Sequence, residues 1–148
     1  MTVAFVSAGA GFLLAVLWFD LMFDVQVARG VDAEKVDSIA RYYRRVTTDA
    51  RPMNRLVALA MVGTVAGVLY EVVRSIGPAW AHWGSLVLVA APVGVAGSRT
   101  VQRAVRLGSQ IDPPERQAEM ARTNLREHVF CFVCITAVLA VQLLAVAP

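Results

Sequence analysis

Residues 3–23 read VAFVSAGAGFLLAVLWFDLMF, an apolar run that ends beside two carboxylates, Asp20 and Asp24. Three further apolar runs lie near residues 56–73, 79–98 and 129–147. Each run is close to the roughly 20 residues that an α-helix needs to cross the hydrocarbon core of a bilayer. A soluble helical bundle would show a polar face along each helix, and these runs lack one. The sequence therefore predicts an all-α membrane protein, an antiparallel bundle of four transmembrane helices.

The composition supports this class of protein. The chain is 57% hydrophobic and its mean hydropathy is +0.59, both high for a soluble domain. At 148 residues we expect a single integral membrane domain covering residues 1–148.

The basic residues predict the orientation of the bundle. All of the 14 Lys and Arg residues except Arg74 lie in residues 24–55 and 99–128. Basic segments stay in the cytoplasm, so we predict that these two segments are cytoplasmic and that both termini lie outside. The expected location is a bacterial-type inner membrane. The net charge of +3 is then a signal of topology, and we predict no nucleic-acid partner.

The first basic segment contains a predicted amphipathic helix between Asp32 and Thr48. Its apolar residues recur at helical spacing: Val36, Ile39, Tyr43 and Val46. Such a helix suits the headgroup region, so we expect it to lie on the membrane surface after helix 1. The bilayer is thus the predicted partner. Small-residue helix faces, such as the GxxxG motif of Gly63 and Gly67, add a homo-oligomer or a larger membrane complex as candidate assemblies.

The acidic pair at the end of helix 1 is the first candidate site. Four residues turn a helix by about 400°, so Asp20 and Asp24 share one face. Ionisable residues inside a span are candidate functional groups, here for a cation, a metal or a proton. The alternative is a structural ion pair with Arg99 or Arg103, which we expect at the same depth.

The entrance to helix 4 adds a carboxylate and an imidazole, Glu127 and His128, at the depth of the acidic pair. Such a set suits a divalent or transition metal, or acid–base chemistry on an oxidisable ring. We predict catalytic roles for Asp20, Asp24 and His128, ligand-binding roles for Asn54, Arg99 and Glu127, and metal ligation by Asp20, Asp24, Glu127 and His128. In the alternative, His128 only hydrogen-bonds to a neighbouring group.

Two further pairs of polar residues have structural alternatives. Cys131 and Cys134 have the spacing of a thiol–disulfide motif, but buried cysteines also serve as small apolar residues. Glu71 lies three residues before Arg74, which predicts a local ion pair. We expect Glu71 and His82 at the outer interface.

The order of these parts resembles the anthrone oxygenase-like family of small four-helix bacterial membrane proteins. The resemblance is carried by a Gly-containing first helix, a loop ending in Pro52-Met53-Asn54-Arg55, and the run Glu127-His128-Val129. The resemblance implies an oxidoreductase that acts on an aromatic or quinone-like substrate and depends little on a cofactor. From the convergence of the candidate residues at one depth, we expect a polar ligand- or metal-binding pocket at the cytoplasmic end of the bundle. The alternatives are an accessory or assembly subunit of a larger membrane complex and a small oligomeric transporter.

Overall fold

The computed structural model describes residues 1–145, apart from the side chains of Arg51 and Met53. This part of the chain is helical, with α1 (Thr2–Asp24), α2 (Ala33–Tyr43), α3 (Arg51–Arg74), α4 (Ala79–Val95), α5 (Val101–Ser109) and α6 (Pro114–Leu144). A 3-10 turn (Val25–Val27) extends α1, and π-helical stretches follow α2 (Arg44–Asp49) and join α4 to α5 (Ala96–Thr100).

Four long helices are apolar and long enough to cross a membrane: α1, α3, the continuous α4–α5 run, and α6. The predicted fold class is therefore confirmed, including a shorter helix after the first span. The helix containing the predicted third span runs on to Ser109, and α6 begins at Pro114, well before the predicted fourth span. Residues 146–147, which close that predicted span, lie outside the described residues.

The four long helices form a closed ring in which α1 packs against α3 and α6, and α4 packs against the same two helices. The shared core is aliphatic, with Val6, Leu13, Val89, Ile135 and Val138 buried at its centre. Because consecutive spans are joined by short or folded connections, neighbouring helices in the ring run antiparallel.

Glycines set the closest approach between α1 and α3. A Cβ added at Gly67 would lie 2.8 Å from Val6 Cγ2, and one added at Gly9 would collide with Thr64 Oγ1. The GxxxG motif of Gly63 and Gly67 thus packs inside this chain, where small residues let two helices come close. Assembly with other chains through small-residue faces stays a prediction.

A second hydrophobic core lies beyond the bundle, in a region that we call the basic lobe: α2, the π-helical stretch after it, α5 and the first half of α6. Its buried residues include Val36, Ile39, Leu107 and Ala121. The crossing with α5 is tight, because a Cβ on Gly108 would lie 2.7 Å from the backbone nitrogen of Arg44. The apolar face of α2 is buried against α5 and α6. The location of this helix at the membrane surface stays a prediction.

The opposite end of the bundle, the hairpin end, is a short connection between α3 and α4. Ser75 ends α3 in the left-handed conformation (φ 50°) and Gly77 follows at φ 77°, after which Pro78 precedes the first turn of α4. Trp80 and Trp83 are exposed on this end, as expected of aromatic residues at a membrane interface.

Candidate functional site

The end of α1 brings Asp20 and Asp24 to the junction between the bundle and the basic lobe. Asp24 is fully buried, and its Oδ1 accepts a 2.7 Å hydrogen bond from Tyr43 Oη. One turn earlier, Asp20 Oδ1 accepts a 2.8 Å hydrogen bond from Tyr42 Oη. The phenol groups of two consecutive α2 residues, Tyr42 and Tyr43, therefore cover the acidic pair.

His128 of α6 completes this cluster. Its Nδ1 lies 2.6 Å from Asp24 Oδ2 and 3.3 Å from Tyr43 Oη. An ionised carboxylate can only accept hydrogen bonds, so an ionised Asp24 assigns the shared proton to Nδ1. The neutral ring then carries its acceptor at Nε2.

The Nε2 atom of His128 lies 3.9 Å from Asp20 Oδ2. This distance is too long for a direct hydrogen bond. A third polar atom can nevertheless sit about 2.8 Å from both groups, within hydrogen-bond range of each. Asp20 and His128 thus form a pair of polar groups that one ligand atom can bridge.

The two tyrosines are held in their protonated form. Burial, and after it the negative charge of Asp24, raises the pKa of Tyr43 well above its ordinary value. Burial and the charge of Asp20 raise the pKa of Tyr42 in the same way. Both phenols therefore stay hydrogen-bond donors, which fixes the carboxylates as acceptors.

A cavity of about 440 Å³ reaches this cluster from between the four long helices. Its walls are mostly apolar and include Phe12, Leu17, Met61 and Ile135. The polar or titratable side chains in its lining are Asp20, Tyr42, Tyr43, Thr47, Asn54, Thr100, Cys131 and His128. Its volume is within the range of small-molecule sites. Asp24 is absent from the lining and stands behind His128, where it can orient the ring.

Glu127 belongs to a separate pair. Its Oε2 accepts hydrogen bonds from Arg103 Nη1 at 2.7 Å and from Thr100 Oγ1 at 2.5 Å. Glu127 is not part of the cavity lining, and only Thr100 connects this pair to the cavity. In the described part of the chain, Asp20 and Asp24 have no ion pair with an arginine, so Arg103 neutralises Glu127 in place of the acidic pair.

The other two predicted ligand-binding residues differ from one another. Asn54 lines the cavity, and its Nδ2 donates a 2.6 Å hydrogen bond to the carbonyl of Thr47, which fastens the start of α3 to the basic lobe. Arg99 is exposed in the π-helical stretch and does not line the cavity. The structure thus brings Asn54 to the site and leaves Arg99 outside it.

The four predicted metal ligands do not share one centre. Both oxygens of Asp24 accept hydrogen bonds from protein groups, and the carboxylate of Glu127 is engaged by Arg103. Within the described residues, no three His, Cys, Asp or Glu side chains are arranged to hold a metal ion. Asp20 and His128 Nε2 supply two donors, fewer than the three protein ligands of a typical catalytic zinc site.

Both cysteines are buried free thiols. Cys131 lines the cavity, and its Sγ lies 3.9 Å from the carbonyl oxygen of Pro92. In this setting the two thiols pack as small apolar side chains.

Sequence reasoning missed Tyr42 and Tyr43 as site residues. The helical spacing of α2 places Tyr43 on the apolar face of a predicted surface helix, which gives it no role beside the acidic pair. The signal that could have found them is chemical: a phenol beside a buried carboxylate supplies the donor that the carboxylate needs.

Comparison of the chain with protein-family models, with curated proteins and with solved structures found no match.

Proposed function

We propose that this chain is a small membrane protein that binds a flat lipophilic molecule and exchanges a proton with it at His128. One observation carries the proposal: a mostly apolar cavity of about 440 Å³ is lined by both Asp20 and His128, whose Oδ2 and Nε2 atoms lie 3.9 Å apart. Apolar walls with a few convergent polar groups are typical of small-molecule sites. The ligand class that fits is an aromatic ring bearing a hydroxyl group, such as a phenol or a hydroquinone, because Asp20 and Nε2 of a neutral His128 both accept hydrogen bonds.

The chemistry follows from the two sides of the imidazole. Asp24 contacts Nδ1 and orients the ring, while Nε2 lies on the side of Asp20, which also lines the cavity. A phenolic O–H placed there would donate to Nε2, and the resulting imidazolium would be stabilised by Asp24 and Asp20. Water exclusion by the apolar walls strengthens each of these electrostatic interactions.

The proposal covers binding and proton exchange. Oxidation of an aromatic or quinone-like substrate, implied by the family resemblance, stays a prediction, as does a bound metal. In the orientation that we propose, the basic lobe faces the cytoplasm, because it carries nine of the 14 Lys and Arg residues. The ligand would then bind near the cytoplasmic leaflet.

The test uses 2-naphthol, whose fluorescence reports both binding and deprotonation. The full chain, purified in lipid nanodiscs, is titrated with 2-naphthol and compared with His128→Leu. Loss of a buried hydrogen-bond partner costs about 1–3 kcal/mol, so we expect the Kd to rise by roughly 5- to 150-fold.

Arg99→Gln is the matched control, because Arg99 is exposed and lies outside the cavity lining. Its Kd should equal that of the parent chain. Equal binding by His128→Leu and the parent would exclude the proposed site. No measurable binding by a folded parent chain would exclude the ligand class.

The accessory-subunit and transporter hypotheses stay open as predictions. The small-residue contacts of Gly9 and Gly67 are used between α1 and α3 of this chain, so they provide no support for docking to a larger complex.

A further inference from the structure

A second buried polar cluster lies at the hairpin end, where three helices contribute one residue each. Gln142 Nε2 of α6 donates hydrogen bonds to Glu71 Oε2 of α3 at 2.9 Å and to Ser85 Oγ of α4 at 3.1 Å. Glu71 and Gln142 are each 2% exposed, and Ser85 is 0% exposed. A single amide group thus ties together α3, α4 and α6.

The hydrogen bonds of this cluster leave two acceptors unused. Both N–H groups of Gln142 are engaged, whereas Gln142 Oε1 and Glu71 Oε1 are buried without a partner among the described residues. His82 Nδ1, one turn before Ser85, is also buried and unpartnered in this part of the chain. The cluster therefore has more acceptors than donors, and an ionised carboxylate with one amide donor is costly in an apolar setting.

The charged groups of the surrounding helices do not offset Glu71. Arg74, its expected partner, is exposed, and its Cζ lies 6.0 Å from the centroid of the Tyr70 ring. α1 has no charged side chain before Asp20, α4 adds only His82 at this level, and α6 contributes the neutral Gln142. The described charged side chains of these helices therefore leave Glu71 without a cationic partner, a role that a cation from solution can fill.

We propose that Glu71, Gln142 and Ser85 form a binding site for a small monovalent cation, either a sodium ion or a proton. The free oxygens Glu71 Oε1 and Gln142 Oε1 are hard donors of the kind that such cations prefer. The site is separate from the cavity, since Gln142 lies 14 residues beyond His128, about 21 Å along α6. It does not rest on the proposed function.

The first arm of the test measures sodium. The full chain in detergent micelles is unfolded thermally while sodium chloride replaces choline chloride at constant ionic strength. A sodium site predicts a saturable rise in Tm of roughly 5 °C, which Glu71→Gln should abolish. The exposed residue Glu119 supplies the control, because Glu119→Gln should keep the full response.

The second arm measures the proton by infrared spectroscopy at neutral pH. A bound proton predicts the C=O stretching band of a neutral carboxylic acid, present in the parent chain and Glu119→Gln and lost in Glu71→Gln. If Glu71→Gln fails to fold, Gln142→Leu replaces it. That variant should weaken the sodium midpoint at least tenfold or shift the band, because one site oxygen is removed. A parent chain with no sodium response and no such band would overturn the proposal.

Discussion

Replacing Asp24 by asparagine should reverse the hydrogen-bonding character of His128. With an ionised Asp24 and a neutral ring, Asp24 accepts from Nδ1, which leaves Nε2 as an acceptor. The introduced amide would keep the volume, and its carbonyl oxygen can still accept from Tyr43, but its NH₂ group turned to Nδ1 would force the ring proton onto Nε2. The Nε2 atom would then donate instead of accept.

The two ligand types should respond in opposite directions. A phenol that donates to Nε2 would lose its acceptor, at a cost of about 1–3 kcal/mol, so Asp24→Asn should weaken 2-naphthol binding by roughly 5- to 150-fold. A quinone carbonyl can only accept, so 1,4-naphthoquinone should bind equally well or more tightly. Competition titrations in nanodiscs give both values, and nitrogen NMR of the labelled imidazole reports the tautomer.

Tyr43→Phe is the control for this reversal. It removes a donor to Asp24 and the 3.3 Å contact of Tyr43 Oη with Nδ1, but it leaves the carboxylate of Asp24 as the short partner of Nδ1. Both ligands should bind Tyr43→Phe in the native order of preference. An equal loss of phenol and quinone binding in Asp24→Asn would refute the tautomer reasoning. Unchanged binding of both would show that the ligand does not reach Nε2.

Three further outcomes are expected from the same geometry. Gly108→Ala should lower the free energy of unfolding by about 1–3 kcal/mol, because its Cβ would meet the backbone of Arg44. Gly97→Ala is the control, since the space around Gly97 is open, and its stability should not fall. Thermal unfolding compares the two variants. The hydrogen bond from Arg106 lowers the pKa of Asp112, so its contribution to stability is complete above the ordinary value of 3.8 and is lost as pH falls through the lowered value. Melting curves between about pH 6 and pH 2 should therefore show a smaller acid loss in Asp112→Asn than in the parent chain. Because Cys131 lines the cavity, saturating 2-naphthol should slow its alkylation by a lipid-soluble maleimide in a Cys134→Ala background, as followed by mass spectrometry; an unchanged rate would show that the ligand binds elsewhere.

The four-helix bundle and its polar end could be predicted from the apolar runs and from the polar residues at the ends of those runs. Four apolar runs predict four spans, and the carboxylates of α1 and the imidazole of α6 fall at one depth once those spans alternate in direction. The meeting of Asp24 with His128 follows from that alternation.

The partners of these groups depend on packing that periodicity does not encode. An amphipathic helix shows which face is apolar, but the same face can meet lipid or protein, and α2 meets protein through the close crossing at Gly108. That choice brings Tyr42 and Tyr43 onto the acidic pair. The partner of Arg103 was equally ambiguous in the sequence, because the residue could have formed an ion pair with Asp20 or Asp24. The register of α5 against α6 instead places Arg103 beside Glu127.

The unbroken helix α6 connects the two ends of the bundle. It runs for 31 residues and carries both His128 and Gln142. The 14 residues between them correspond to about 40° less than four full turns, so the two side chains point to nearly the same side. A rotation of α6 that moved His128 away from Asp24 would carry Gln142 away from Glu71 as well. Occupancy of either site would then bias the other, and by thermodynamic linkage the two effects on affinity would be equal in size.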